Sequence, residues 1–263
     1  MRSILTVIIA CFLLPWIALP AQSKEPASQN RTAPQRKKTQ PPIPKKGTSE
    51  TLDFSATGRP GQQTAGESRG GCGNVMEPIK AILPASNSGS TVLSHPHVWV
   101  YFPQGTTATA TEVEFVVQDE ARRDIWRSRS PLHSTAEYQR FSLPTTEQPL
   151  PIGQWYRWYV KVYCHDQVAS AQYVQGWIKR VPLTSQLHLE LQGNLAQEDH
   201  LTYSNHHLWY DATDELLSSY QNNPKSLALE QDWQNLIRAK GVQLEELPNL
   251  GGRTVSFFFN RAK

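Results

Sequence analysis

Between residues 154 and 164 the chain reads QWYRWYVKVYC. Trp158, Val160, Val162 and Cys164 fall on one side of an extended backbone, and Arg157, Tyr159, Lys161 and Tyr163 on the other. Side chains alternate in this way only in a strand with one covered and one more open face. Five further short runs have the same texture of β-branched and aromatic residues, at 97–103, 111–119, 123–129, 138–144 and 171–181. Pro, Gly, Ser or Thr punctuates the gaps between them. Six or seven short strands with regular turn signals predict an antiparallel β-sandwich of immunoglobulin or fibronectin type over residues 58–184. Cys72 and Cys164 flank Trp99 and Trp158, but at spacings unlike those of an antibody domain.

From residue 185 the period becomes helical. Leu201, Leu208, Ala212, Leu216 and Tyr220 recur mostly at four-residue steps, with Asn205 interrupting the stripe and Pro224 ending it. A second stripe of Leu229, Trp233, Leu236 and Ile237 follows, with Ser226 as its N-cap and Gly241 as its C′ residue. Residues 185–250 therefore read as two or three antiparallel helices, a helical hairpin packed on the sheet. The class is α+β. The tail, 251–263, contains Phe257–Phe259, expected to dock as a last strand.

The first 23 residues have the order of a secretory signal: Arg2, an apolar run from Ile4 to Leu19, then small residues at Ala21 and Ser23. The run is short for a membrane span. Cleavage after Ala21 or Ser23 is expected, with an uncleaved anchor as the rival. No second run of membrane length follows, so the mature chain is expected to be secreted or periplasmic with no transmembrane span. Removing the signal removes Cys11. Two cysteines in an oxidising compartment, Cys72 and Cys164, are most simply one disulfide; two separate buried thiols are the alternative.

Residues 24–57 are expected to be a disordered linker. Residues 24–50 have five prolines, one large aliphatic and no aromatic residue, too little apolar surface to offset chain entropy. Within residues 24–47 Lys and Arg outnumber Glu by seven to one. With Arg2 this stretch supplies seven net positive charges of a chain whose total is +3, which leaves residues 48–263 at −4. An acidic folded part argues against nucleic acid. The basic linker is a candidate contact for an anionic surface, or a plain solvated spacer.

Motif by motif, the chemistry is sparse. GQQTAGES (61–68) matches a P-loop except that Glu67 stands in the lysine position, where it would repel phosphate. It follows no strand and opens no helix. The histidines at 95, 97, 133, 165, 188, 200, 206 and 207 lack the coherent spacing of a zinc site. No serine-hydrolase elbow is present. Glu112 and Glu114 share a strand face, followed by Asp119 and Glu120; Asp211, Asp214 and Glu215 share a helix. Carboxylates so placed are hydrolytic only if two face each other across a cleft. No cofactor or metal is expected. Trp158, Trp177, Trp209 and Trp233 are expected in the core. Trp155, Tyr159 and Tyr163 form the candidate interaction surface.

The stretches GRPG, SRGGC, HPHVWVYFP, TEVEFVVQD, WYRWYVKVYC, GWIKR and HHLWYDATDELLSSYQNNP with LEQDWQNLI occur in an order that resembles a cyanobacterial family of exported proteins, the domain of unknown function numbered nine-two-eight. The resemblance spans about residues 58–250. It implies an exported protein of this layout and no particular activity. Two features depart from it: His206 and His207 before LWYDA, where a glycine is expected, and the FFFNRAK ending. The function expected is non-enzymatic binding or adaptor work on a protein or envelope component. A glycan-binding module and a hydrolase with paired carboxylates are the alternatives.

Overall fold

The computed structural model describes residues 52–55, 78–103, 110–132, 136–164, 172–193, 199–251, 253 and 255–257. All lie within one compact unit, Gly47–Lys263. The signal-like start, most of the linker, the GQQTAGES stretch and Cys72 lie outside the described residues.

Among the described residues, nine strands and four helices form two sheets and a helical layer. The strands are β1 (Lys80–Ala81), β2 (Ser88–Thr91), β3 (His97–Tyr101), β4 (Ala110–Gln118), β5 (Asp124–Pro131), β6 (Tyr138–Ser142), β7 (Trp155–Cys164), β8 (Gln172–Arg180) and β9 (Val255–Phe257). The helices are α1 (Ser185–Gly193), α2 (Asp199–Asn205), α3 (Trp209–Asn222) and α4 (Leu227–Ile237). One sheet has the order β1-β3-β6-β9 and the other β2-β8-β7-β4-β5. Most neighbours are antiparallel, as the alternating runs predict, but β2 lies parallel to β8 and β9 parallel to β6. Both exceptions are edge strands that reach their partner by a long connection rather than a hairpin, which is what parallel pairing requires.

β7 divides its side chains as its sequence predicts. Trp158, Val160, Val162 and Cys164 are all buried on the inner face. Phe115 of β4 meets Phe141 of β6 at 5.8 Å between ring centroids, which brings the two sheets together. On the other side of β6, Tyr138 meets Trp233 of α4 edge to face at 5.5 Å. The four-stranded sheet thus has a covered surface on each side, and four of the five β3 residues are buried.

Three indole N–H groups bind the helices to the sheets. Trp158 donates to the Tyr210 hydroxyl (2.7 Å), which donates onward to the Trp177 carbonyl (2.9 Å). Trp209 donates to the Ile82 carbonyl (2.9 Å), and Trp99 to Asp214 of α3 (2.9 Å). Each bond satisfies the one polar atom of a large buried ring. The Trp158 indole crosses β8 at its register partner Gly176. A Cβ at Gly176 would stand 2.8 Å from that indole and 2.2 Å from Leu83 Cδ1, so the absence of a side chain makes the space.

The helical layer differs from the sequence reading in number and continuity. Four helices stand where two or three were expected. The stripe from Leu201 to Tyr220 is not one helix: the chain breaks between α2 and α3, with His207 in the left-handed region at φ 56°. The turn delivers Trp209 edge-on to Phe54 at 5.0 Å, and Leu201 is left exposed while Leu208, Ala212, Leu216 and Tyr220 are buried. Ser226 caps α4 as expected, accepting from the Leu229 N–H. Gly241 is not its C′ residue; α4 ends at Ile237 with Arg238 as C-cap. Gly241 instead takes φ +82° in a later turn, where a Cβ would lie 2.5 Å from the Ser55 nitrogen. Segment 52–55 packs there, with Phe54 buried and Lys240 bridging to Asp53 at 2.7 Å.

Gly176→Ala forces the Trp158 indole or Leu83 to move. A loss of about 1–3 kcal/mol is expected, read as a lower urea midpoint with an unchanged m-value.

Candidate functional site

The five-stranded sheet turns one face outward. Register assigns its side chains. Lys179 of β8 lies beside Trp155 of β7, Trp177 beside Arg157, Gln175 beside Tyr159, and Tyr173 beside Lys161. Continuing across β4 and β5, Arg157 leads to Gln118 and Asp124, Lys161 to Glu114 and Arg129, and Tyr163 to Glu112. Two of the three residues expected as an interaction surface, Trp155 and Tyr159, are half-buried on this face. Tyr163 shares it but is only 7% exposed. Arg129 lies 3.6 Å over its ring, and its hydroxyl donates to Glu114 at 2.9 Å. Trp177, expected in the core, belongs here instead: it is half-buried and opposite Arg157, because β8 alternation turns Gly176 and Ile178 inward.

The face is divided electrostatically. On the β4–β5 side every carboxylate has a partner. Glu112 receives Arg129 at 2.6 Å, and Asp124 receives Arg127 at 2.8 Å. Glu114 receives Arg127 at 2.5 Å and Lys161 at 3.3 Å. Glu114 is more than a solubilising residue, since it is 5% exposed. Burial pushes its carboxyl up, but bonds from Arg127 and Tyr163 and the charge of Lys161 outweigh this and hold it below the usual range. Among the described residues the β7–β8 side has no carboxylate. Its cations face rings: Arg157 lies 4.8 Å from the Tyr159 centroid and 5.6 Å from that of Trp177, and Lys179 5.6 Å from Trp155. Arg157 also donates to Gln175.

Tyr173 and Lys179 escaped the sequence reading, and Trp177 was placed on the wrong face. Their signal was the alternation in QYVQGWIKR, which mirrors that of β7.

Of the remaining candidate carboxylates, Asp119 pairs with Arg123 at 2.7 Å in the turn after β4 and Glu120 there is exposed, whereas Asp211 and Asp214 are buried. Asp214 is held by Trp99 and by Arg140 at 2.7 Å. Asp211, in the first turn of α3, takes the Val92 N–H at 3.3 Å. The histidines scatter. His97 bonds Ser142 at 2.8 Å and is 3.9 Å from Asp214; burial, Arg140 and His95 lower its pKa to about 3. His95 meets the Glu147 carbonyl, His200 meets Asp232, and His206 meets Glu190. His133 and His165 lie outside the described residues. Among the described residues no group of three or more His, Cys, Asp or Glu is placed to hold a metal, and no helix is long and apolar enough to cross a membrane.

Burial raises the Asp211 pKa to about 7, against the opposing bonds from Thr91 and Val92. The folded state therefore holds a proton that the unfolded chain has released. The stability this contributes is complete below the ordinary carboxylate pKa of 3.8 and is lost as pH rises through about 7. Asp211→Asn is expected to gain on wild type across that window, by up to roughly 1.4 kcal/mol per pH unit, with a constant difference at higher pH. Urea unfolding of both proteins from pH 4 to 8 measures it.

Comparisons with solved structures give only partial likeness. The crystal structure of CopC from Methylosinus trichosporium OB3b aligns with 40% of this chain and 98% of its own, at 12% identity and a TM-score of 0.28. The β-glucuronidase of Parabacteroides merdae, with glycerol in its active site, aligns with 39% of this chain at 16% identity and a TM-score of 0.26; the match spans 13% of that enzyme. No curated protein matches the sequence. A family model matches residues 64–249, which include both sheets apart from β9 and all four helices. The chain belongs to the family described as Domain of Unknown Function (DUF928).

Proposed function

We propose that this protein is an exported, non-enzymatic binding or adaptor module that presents the outer β7–β8 face to a component of the cell envelope. The observation that carries this reading is the arrangement of that face. Trp155, Tyr159, Tyr173 and Trp177 alternate with Arg157, Lys161 and Lys179 on two adjacent long strands. Large rings and guanidinium groups on a rigid sheet lose little conformational freedom on binding and suit a recognition surface. The hydrolase alternative has less support, because Asp211 and Asp214 are buried and held from within, and Glu112 and Glu114 are paired with arginines.

The fold reading belongs to the same proposal. The order β1-β3-β6 against β8-β7-β4-β5 corresponds to strands A-B-E and G-F-C-C′ of an immunoglobulin-like sandwich, with β2 as a second A segment beside G. α3 and α4, joined by four residues, form the proposed helical hairpin. Cys164 stands at the buried end of β7, and we assign its partner as Cys72, which would tie the entry of the fold to this strand. The signal-like start and basic linker support export and attachment near an anionic surface.

Two experiments test these statements. Immobilised wild-type protein is expected to retain an envelope component that Arg157→Glu/Lys179→Glu does not, with thermal midpoints matched; equal retention by both refutes the role of the face. Non-reducing peptide mapping of the exported protein is expected to yield a peptide linking Cys72 and Cys164; alkylation of both as free thiols refutes the pairing.

A further inference from the structure

Resting on that reading of the outer face, we infer that its ligand is an acidic polysaccharide, laid along β7 and β8 with its anionic groups on Arg157 and Lys179 and its sugar rings against the neighbouring aromatic side chains.

Charge points to an anion. Residues 48–263 carry a net −4, yet among the described residues the β7–β8 half of the face carries three cations and no carboxylate. Lys161 shares Glu114 with Arg127. Among the described residues neither Arg157 nor Lys179 is ion-paired, and the buried Arg157 Nε has no hydrogen-bond partner. A positive strip on an acidic body concentrates an anionic ligand at that strip and repels it elsewhere.

Spacing points to a sparsely charged polymer. Trp155, the partner of Lys179, is two residues from Arg157, and Lys161 is four residues beyond. At about 3.3 Å per strand residue these steps are roughly 7 and 13 Å along the sheet. Each strand of duplex DNA bears a phosphate about every 3.4 Å of helix axis, denser than this strip can match. A polysaccharide with one acidic group on some of its sugars is sparse enough.

The pairing of each cation with a ring selects among sparse polyanions. Lys179 stands beside Trp155, Arg157 beside Trp177, and Lys161 beside Tyr173. A ligand that uses both members must offer an anion next to a flat, partly apolar surface. A sugar acid does so, because the C–H groups of its ring stack on an aromatic face while its carboxylate or sulfate reaches the cation. An acidic peptide offers the carboxylates on flexible stems without the flat surface. As the cation turns to meet the anion, the ring beneath it is freed for stacking.

The test is a fluorescence titration of the exported chain with polygalacturonate, alongside neutral dextran, polyglutamate and an oligothymidylate of matched length. Saturable binding of polygalacturonate is expected, weakening with added salt, with a change in tryptophan emission. Arg157→Gln/Lys179→Gln is expected to weaken it by about tenfold or more, and Lys179→Gln alone by less. Arg123→Gln, in the exposed turn between β4 and β5, is expected to leave it unchanged. The basic linker is present in every variant, so the differences report the strip alone. Absence of binding, undiminished binding by the double variant, or equal affinity for polyglutamate or oligothymidylate overturns the inference. If polygalacturonate fails while envelope retention still depends on Arg157 and Lys179, the ligand class is wrong and the binding face stands; if retention is also indifferent to them, both fall.

Discussion

The Trp158 indole lying across Gly176 is the contact on which the arrangement of layers depends. It fills the inner face of the five-stranded sheet, and its N–H continues through the Tyr210 hydroxyl to the Trp177 carbonyl. One ring thereby joins β7, β8 and the first turn of α3. The first of these bonds is buried and the second part-buried, and loss of Trp158 or Tyr210 would strand a buried donor or acceptor at a cost of about 1–3 kcal/mol. Gly176 is the condition for it. With a methyl group there the indole could not lie flat against β8, and the first turn of α3 would lose the distance at which Tyr210 reaches back.

With its inner face committed in this way, the sheet has one face left, and its two halves are used differently. On β4 and β5, Glu112, Glu114 and Asp124 meet Arg127 and Arg129 in a network that also caps Tyr163. A partly buried network of this kind fixes side-chain geometry more than it adds stability. It also engages the carboxylates that Arg157 and Lys179 could otherwise have paired with, Lys161 of β7 sharing Glu114. Internal neutralisation on one side is thus what leaves positive charge available on the other.

How much of this could be read from the sequence follows from how local each cause is. The period-two pattern of β7 is local, and its inward and outward residues were legible down to the individual side chain. The Ser226 cap was legible for the same reason, since its partner is three residues away. Glu114 was not, because Arg127 and Tyr163 lie 13 and 49 residues away and nothing in TEVEFVVQD announces them. The break between α2 and α3 was hidden by a four-residue stripe that continues through it; Phe54, more than 150 positions upstream in the chain, holds the far side of that turn. Trp177 was misplaced because its size suggested core, whereas the parity set by Gly176 turns it outward. Of the candidate surface, Trp155 and Tyr159 were legible, while the closure of Tyr163 depends on Arg129 from a strand two positions across the sheet.

Trp177 bears on how the outer face would serve the proposed recognition. Its carbonyl accepts the Tyr210 hydroxyl from the helical layer, while its ring lies beside Arg157 on the opposite side of the sheet. The residue that receives the end of the core hydrogen-bond chain therefore also flanks Arg157 of the proposed binding strip. A surface built on loops would have to be ordered when a ligand arrives; here the backbone of β8 is already held on its inner side by the packing of Trp158 and Tyr210. In the proposed complex, affinity depends on how the ligand meets Arg157, Lys179 and the rings beside them, and little is spent on arranging the strands that carry them.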